Sequence, residues 1–115
     1  EVAVPKVVVD AWQLRDQDGL KYFKGKPFTG VSVSVHLDGQ KMGEHTYKDG
    51  IKNGLSTVWQ ENGQKWREYT YVDGKLDGLW TQWYKDGQKW QEYTYKDGIK
   101  NGLWTQNGTR TGRRE

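Results

Sequence analysis

The chain alternates short runs of Trp, Tyr, Thr and Val with turns that contain glycine. The clearest turns read "LDGQ", "ENGQ" and "KDGQ", in which Asp-Gly or Asn-Gly separates two such runs. This arrangement is the strongest short-range signal for a β-hairpin with a two-residue turn. Glycine recurs about every ten residues, which disfavours helix. The pattern predicts an all-β fold, a repetitive hairpin meander of roughly nine antiparallel strands in one elongated, twisted sheet.

The hairpin pattern repeats every 24 residues. Residues 49–72 and 73–96 agree at 14 of 24 positions, and residues 97–106 agree with 49–58 at 8 of 10. Because the ends of repeat arrays are usually atypical, we divide the single predicted domain into a cap, three repeats and a degenerate end. The cap with a partial repeat is 1–24, the repeats are 25–48, 49–72 and 73–96, and the degenerate fourth repeat with a basic tail is 97–115.

Two-residue turns would fix which side chains face each other. With a turn at Asn62-Gly63, Trp59 faces Trp66, and the equivalent turn places Trp83 opposite Trp90 and Val35 opposite Met42. Pairing between neighbouring repeats then places Trp66 opposite Trp83 and Tyr69 opposite Trp80. The "DGIKNG" and "DGKLDG" segments are expected to be longer loops. A three-residue turn with a bulge is the alternative, and it would break the tryptophan pairs.

Two aromatic stripes follow from this register. The tryptophan stripe is the candidate binding surface and contains Trp59, Trp66, Trp83 and Trp90. The mixed stripe, on the other face, is the second candidate and contains Tyr69, Trp80, Tyr93 and Trp104. Cross-strand aromatic pairs also hold thin sheets together, so a structural role and a binding role are compatible.

Composition limits the class of protein. A mean hydropathy of −1.06 is too polar for a thick core, yet the chain has 7 Trp, 7 Tyr and 2 Phe, which disordered chains lack. The net charge of +3 comes from interspersed charges and predicts no nucleic-acid partner. There is no cysteine, so no disulfide framework forms. A removed signal peptide or a trimmed N-terminus would each explain a start at Glu1 without methionine.

Catalytic and metal-binding patterns are weak. His36 and His45 lie in one hairpin with no third ligand converging on them, so no metal site is predicted. Repeated glutamates two strands apart are separated by roughly 9 to 10 Å, too far to share a metal. We expect them to pair with lysines or threonines of the same face; the glutamates are Glu44, Glu68 and Glu92, and the partners are Lys41, Lys65, Lys89, Thr57 and Thr81. The sequence predicts a protein that is not an enzyme and needs no cofactor.

The repeat "DGKLDGLWTQWYKDGQKWQEYTYK" resembles the MORN repeat, specifically its bacterial variant. The resemblance rests on "DGxxxGLW", "W-Y-x-D/N-G-Q-K" and "E-Y-T-Y" and covers roughly residues 18–106. The chain departs from the family pattern in the 25–48 repeat, where Val35 and Met42 stand at the tryptophan positions, and again after Gln106. Several members of the variant family are antitoxins or immunity proteins, and wider MORN proteins are scaffolds. The resemblance therefore implies a β-hairpin array that binds a protein partner, with a toxin as the expected partner.

Alternatives to this function use other surfaces. A peripheral module for anionic membranes would use the basic tail and lysine-bearing loops, and a carbohydrate-binding module would use the aromatic stripes. The tail contains Arg110, Arg113 and Arg114, and the loops contain Lys52, Lys75 and Lys100. A homodimer through one face or an edge strand is a further expectation. The resemblance implies a bacterial protein that is exported or associated with the cell envelope, with a cytoplasmic location as the alternative.

Overall fold

A computed structural model describes the backbone of residues 7–106 and 109–114 and the side chains of residues 7–100. A 3₁₀ turn spans Ala11–Gln13, and the other elements are strands. The strands are β1 (Val8–Asp10), β2 (Arg15–Gln17), β3 (Leu20–Phe23), β4 (Lys26–Pro27), β5 (Gly30–Val35), β6 (Lys41–Lys48), β7 (Ile51–Trp59), β8 (Lys65–Val72), β9 (Lys75–Trp83), β10 (Lys89–Lys96), β11 (Ile99–Gln106) and β12 (Thr109–Arg114).

Nine of these strands form one sheet. Strands β5 to β12 follow each other as an antiparallel meander, and β1 pairs with β5 in parallel at one edge. The predicted all-β hairpin meander is therefore confirmed. Strands β2, β3 and β4 form a separate three-stranded sheet within the crossover connection between β1 and β5. A parallel edge strand needs such a crossover, whereas consecutive hairpins do not.

Two-residue turns connect the repeats. Asp49-Gly50, Asp73-Gly74 and Asp97-Gly98 have positive φ at both residues, between 49° and 84°. That conformation is the type I′ turn that Asp-Gly favours. Lys48 pairs directly with Ile51, and Val72 with Lys75. The longer loops expected at "DGIKNG" and "DGKLDG" are therefore wrong; the second glycine, as at Gly54 and Gly78, lies inside a strand.

Three-residue turns close each repeat's own hairpin, at the sites expected to have two-residue turns. Gln60 N donates to Gln64 O at 2.8 Å, and Gly63 N donates to Gln60 O at 2.9 Å, which leaves 61–63 as the loop. Gly63 has a φ of 87°, whereas Asn62 keeps a negative φ and accepts a hydrogen bond from Gln64 N at 2.9 Å. The asparagine therefore acts through its side chain and not through a left-handed backbone.

A bulge follows each three-residue turn. Trp59 pairs with Lys65 and Val58 with Arg67, so Trp66 is an extra residue between two pairs. Trp90 and Met42 hold the same place in their hairpins. The expected facing pairs Trp59–Trp66, Trp83–Trp90 and Val35–Met42 are therefore wrong. The reason is that a three-residue turn followed by a bulge replaces the two-residue turn, which shifts the register by one residue.

Beyond the bulge the predicted register is confirmed. Tyr69 pairs with Trp80, and Trp80 pairs with Tyr93, as the mixed stripe requires. The ladder between β8 and β9 begins at Arg67, so the expected facing of Trp66 and Trp83 is not part of it. Three strand glycines oppose tyrosines, in the pairs Gly30–Tyr47, Gly54–Tyr71 and Gly78–Tyr95. The Trp104 side chain lies outside the described residues.

The hydrophobic core lies where the small sheet meets the large one. Phe28 is 3% exposed and packs against Phe23 and Tyr47, with ring centroids 5.9 and 6.0 Å apart. Val9 completes the buried cluster. Gly50 links the two sheets, because its N–H donates to Phe28 O and its carbonyl accepts from Lys21 N.

The two-residue turns of successive repeats are joined in the same way. Gly74 N donates to Lys52 O at 2.9 Å, and Gly98 N donates to Leu76 O at 2.7 Å, repeating the bond from Gly50 N to Phe28 O. Each turn is therefore hydrogen-bonded to the opening segment of the preceding repeat.

Candidate functional site

A ladder of alternating lysine and tryptophan crosses the sheet next to the three-residue turns. Trp59 lies opposite Lys65, and Trp83 lies opposite Lys89. The Nζ atom of Lys41 lies 5.6 Å from the Trp59 ring centroid, and that of Lys65 lies 5.8 Å from the Trp83 centroid. Each ring is therefore held by a lysine from the preceding hairpin through a cation–π contact.

A second row of the same face alternates glutamate and threonine. Lys41, Lys65 and Lys89 donate to Glu44, Glu68 and Glu92 at 2.9, 2.9 and 3.0 Å. Thr57 and Thr81 are buried and donate to Glu68 and Glu92 at 3.2 and 3.4 Å. The expected pairing of the repeated carboxylates is confirmed. We call this side, with its lysines and glutamates, the lysine face.

The two bulged tryptophans have different partners. The Arg67 guanidinium lies 4.1 Å from the centroid of the Trp66 ring. Trp90 stacks on Tyr84 with centroids 5.6 Å apart and ring planes 27° apart. Because a bulge interrupts the alternation of faces, these two rings are placed by their neighbours and not by a cross-strand tryptophan.

An open groove of about 620 Å³ unites the tryptophan stripe. Its lining includes Trp59, Trp66, Trp83 and Trp90, together with Tyr84, His36, Gln60, Glu61, Asn62, Gln82 and Lys85. The structure thus brings together all four residues of the first candidate site, although not through the predicted ring pairs. A volume within about 300 to 1,000 Å³ and a lining that combines aromatic rings with polar groups are typical of ligand sites.

Adjacent turns are bridged at the rim of the groove. Gln60 Nε2 donates to Tyr84 O at 3.3 Å, and Asn62 Nδ2 donates to Lys85 O at 3.1 Å. One hairpin earlier, the His36 ring nitrogen Nε2 lies 3.1 Å from Trp59 O. These contacts fix the spacing between successive turns and hence between the tryptophans that flank them.

The mixed stripe lies on the opposite side, which we call the tyrosine face. The Trp80 and Tyr93 rings are 5.4 Å apart. Burial is the main cause that raises the pKa of Tyr69 above its ordinary value. The lysines expected in loops lie in strands, and two of them are held on rings: Lys52 Nζ is 5.2 Å from Tyr71 and Lys100 Nζ is 3.7 Å from Tyr93. This face is packed with rings.

His45 is half-buried on the tyrosine face between two serines. It lies opposite Ser32 on one strand and Ser56 on the other. Burial, and next the positive charge of Lys52, lower the pKa of His45 from 6.5 to about 4, although Glu44 acts in the other direction. The ring is therefore neutral near pH 7. Across the described part of the chain, no three His, Cys, Asp or Glu residues converge as metal ligands.

Acid should destabilise the fold through His45. A folded-state pKa of about 4 below the ordinary 6.5 means that the unfolded chain binds the proton more readily, so stability falls as pH drops from about 6.5 towards 4. We expect His45→Gln, which cannot be protonated, to lose less stability between pH 7 and pH 4.5 than the native chain. Urea denaturation at both pH values measures this difference. Equal losses of stability in the two proteins would contradict a neutral His45 with a lowered pKa.

Two residues were not predicted from the sequence: Tyr84 of the groove lining, and Arg67, which lies against the groove ring Trp66. Tyr84 stands where the other repeats hold His36 and Gln60, and Arg67 stands where they hold Gly43 and Gln91. The available signal was this departure from the repeat at positions beside the tryptophans. The bulge that moves Trp66 next to Arg67 has no equally clear signal.

Comparison with known proteins is consistent with the repeat. The family model described as MORN repeat variant matches residues 52–73 and 76–97, which include most of strands β7 to β10. No curated protein and no solved structure matches the chain. In the described residues, no helix has the length and apolarity needed to cross a membrane.

Proposed function

We propose that this protein is a non-catalytic interaction module whose tryptophan groove binds a segment of a protein partner. The observation that carries the proposal is the convergence of Trp59, Trp66, Trp83 and Trp90 on one groove. Tryptophan and tyrosine dominate the energetics of protein interfaces when they line central pockets. MORN repeats, which the chain resembles at two adjacent repeats, are in general protein-binding or membrane-binding modules.

Preorganisation of the groove supports this function. Trp59 and Trp83 are held by lysines that are themselves held by glutamates. Trp90 is held by Tyr84, and the rim is fixed by hydrogen bonds between turns. Rings that are ordered before binding lose little conformational entropy on binding, so more of their contact energy contributes to affinity.

The partner within this proposal is a toxin. The protein would then act as an antitoxin or immunity protein of a bacterium, in the cell envelope or after export. The support is the resemblance of the repeats alone. Co-expression with the product of a neighbouring gene tests the proposal: a growth defect that this protein relieves supports it, and unchanged toxicity contradicts it.

The groove itself can be tested with a random peptide library displayed on phage. We expect selection on the native protein to enrich peptides that shield tryptophan fluorescence from acrylamide quenching. The same peptides should not be retained by the Trp83→Ala, Trp90→Ala double variant. A library that yields no groove-dependent peptide would overturn the proposed function.

Membrane and carbohydrate binding are the competing functions. Sedimentation with vesicles of phosphatidylcholine and phosphatidylserine tests the first, and tryptophan fluorescence across a panel of oligosaccharides tests the second. Our proposal predicts no dependence on the anionic lipid and no response to the sugars. A saturable response in either assay that the double variant abolishes would assign the groove to that ligand instead.

A further inference from the structure

Arg67 lies beside the groove at a position where the repeat does not fix the residue type. Lysine and glutamate recur in each of the three hairpins, where they form the ion pairs of the lysine face. The position of Arg67 is held by Gly43 in the preceding repeat and by Gln91 in the next. Because those repeats form the same bulged hairpin, the fold does not require an arginine here.

The guanidinium of Arg67 is oriented but not neutralised. Its Cζ atom lies 4.1 Å from the Trp66 ring centroid, so one planar side is covered by a ring that lines the groove. The buried Nε atom has no hydrogen-bond partner, and no carboxylate among the described residues forms an ion pair with Arg67. Arginine presents donors as a rigid fork that matches both oxygens of a carboxylate.

The surroundings of Arg67 favour an anion. Arg67 lies on the tyrosine face, two residues before Tyr69 in β8 and opposite Gln82, which lines the groove. The sheet glutamates lie on the lysine face, where each is paired with a lysine. The groove lining adds one acid, Glu61, and one base, Lys85, which offset each other. Arg67 is therefore a cation without a described counter-ion, and it lies against a ring of the groove lining.

We propose that Arg67 receives a carboxylate of the bound partner, so that the groove selects a protein segment in which an acidic residue adjoins an aromatic or aliphatic one. This inference rests on the proposed function and specifies its partner. The apolar residue fills the space between the tryptophans, and the acid reaches the guanidinium over Trp66. A charge-assisted pair in this setting is short, directional and stronger than a neutral hydrogen bond.

The composition of the selected peptides tests this inference. We expect groove-dependent peptides to contain Asp or Glu at a fixed distance from an apolar residue. For the best peptide, Arg67→Gln should lower the affinity about 10- to 100-fold, and replacing the peptide's acid by its amide should give the same loss. Arg67→Gln restores the residue of the next repeat, so the fold should survive. Isothermal titration calorimetry measures each affinity.

Controls separate the guanidinium from general charge. Lys48→Gln removes a positive charge from an exposed position outside the groove and should change the affinity no more than about fivefold, as for an exposed ion pair. Arg67→Lys keeps the charge without the fork and should behave like Arg67→Gln. Groove-dependent peptides without an acid, or equal affinities for native and Arg67→Gln protein, overturn this inference and leave the proposed function standing. Absence of any groove-dependent peptide overturns both.

Discussion

Replacing both Trp83 and Trp90 by alanine should lower the affinity for the selected peptides at least about 100-fold, because buried tryptophans near the centre of an interface each contribute about 2 kcal/mol or more. The fold should persist. Both rings lie beside the three-residue turns, whereas the buried Phe28 cluster lies at the opposite ends of the strands. Titration calorimetry gives the affinities, and circular dichroism shows whether the sheet is retained.

Trp12 provides the matched control for this double variant. It is 81% exposed and lies in the 3₁₀ turn outside the groove, so Trp12→Ala removes an indole without touching the stripe. Its affinity should equal that of the native protein. If the double variant binds as tightly as Trp12→Ala does, the tryptophan groove is not the binding surface.

Replacing Phe28 by alanine should reduce the free energy of unfolding by about 3 to 5 kcal/mol, the range for a large aromatic lost from a core. Phe28 is 3% exposed and is the ring that joins Phe23 of the small sheet to Tyr47 of the large one. A domain of this size has about 5 to 15 kcal/mol of stability, so the loss is a large part of the total. Urea denaturation followed by tryptophan fluorescence measures it.

Two further variants check that the Phe28 loss arises from packing. Phe28→Leu keeps an apolar side chain at the site and should be clearly less destabilising than Phe28→Ala. Trp12→Ala removes a larger but exposed ring and should change stability by no more than about 0.5 kcal/mol. Equal losses for Phe28→Ala and Trp12→Ala would contradict the placement of the core between the two sheets.

The repeat made the strands and most of the register predictable. Alternation along each strand correctly placed Tyr69, Trp80 and Tyr93 in one row and paired the glutamates with lysines and threonines. The predicted lengths of the turns within and between the repeats are the reverse of those observed, because both kinds of turn contain Asp-Gly or Asn-Gly. What separates them is whether the first residue of the pair adopts a positive φ, as Asp73 does, or accepts a hydrogen bond through its side chain, as Asn62 does.

The groove was predictable only in part. The sequence predicts its four tryptophans as one stripe, and they do line one groove, but the bulges separate the expected pairs. A bulge adds one residue to one strand and has no characteristic composition. The alternation of side chains along a strand therefore does not show where a bulge lies. The N-terminal sheet was also missed, because its contacts with Gly50 join segments that are distant in sequence and lie outside the repeat.

The identical hydrogen bonding of the two-residue turns gives every junction between repeats the same geometry. Gly50, Gly74 and Gly98 each donate to a carbonyl 22 positions earlier, so every junction between repeats uses the same bond. Inserting one more copy of residues 73–96 would create no new kind of junction, and it would lengthen the lysine–tryptophan ladder by one step. A binding surface of this design can be extended by duplicating a short stretch of the gene. Its length then increases by one whole hairpin with each added repeat.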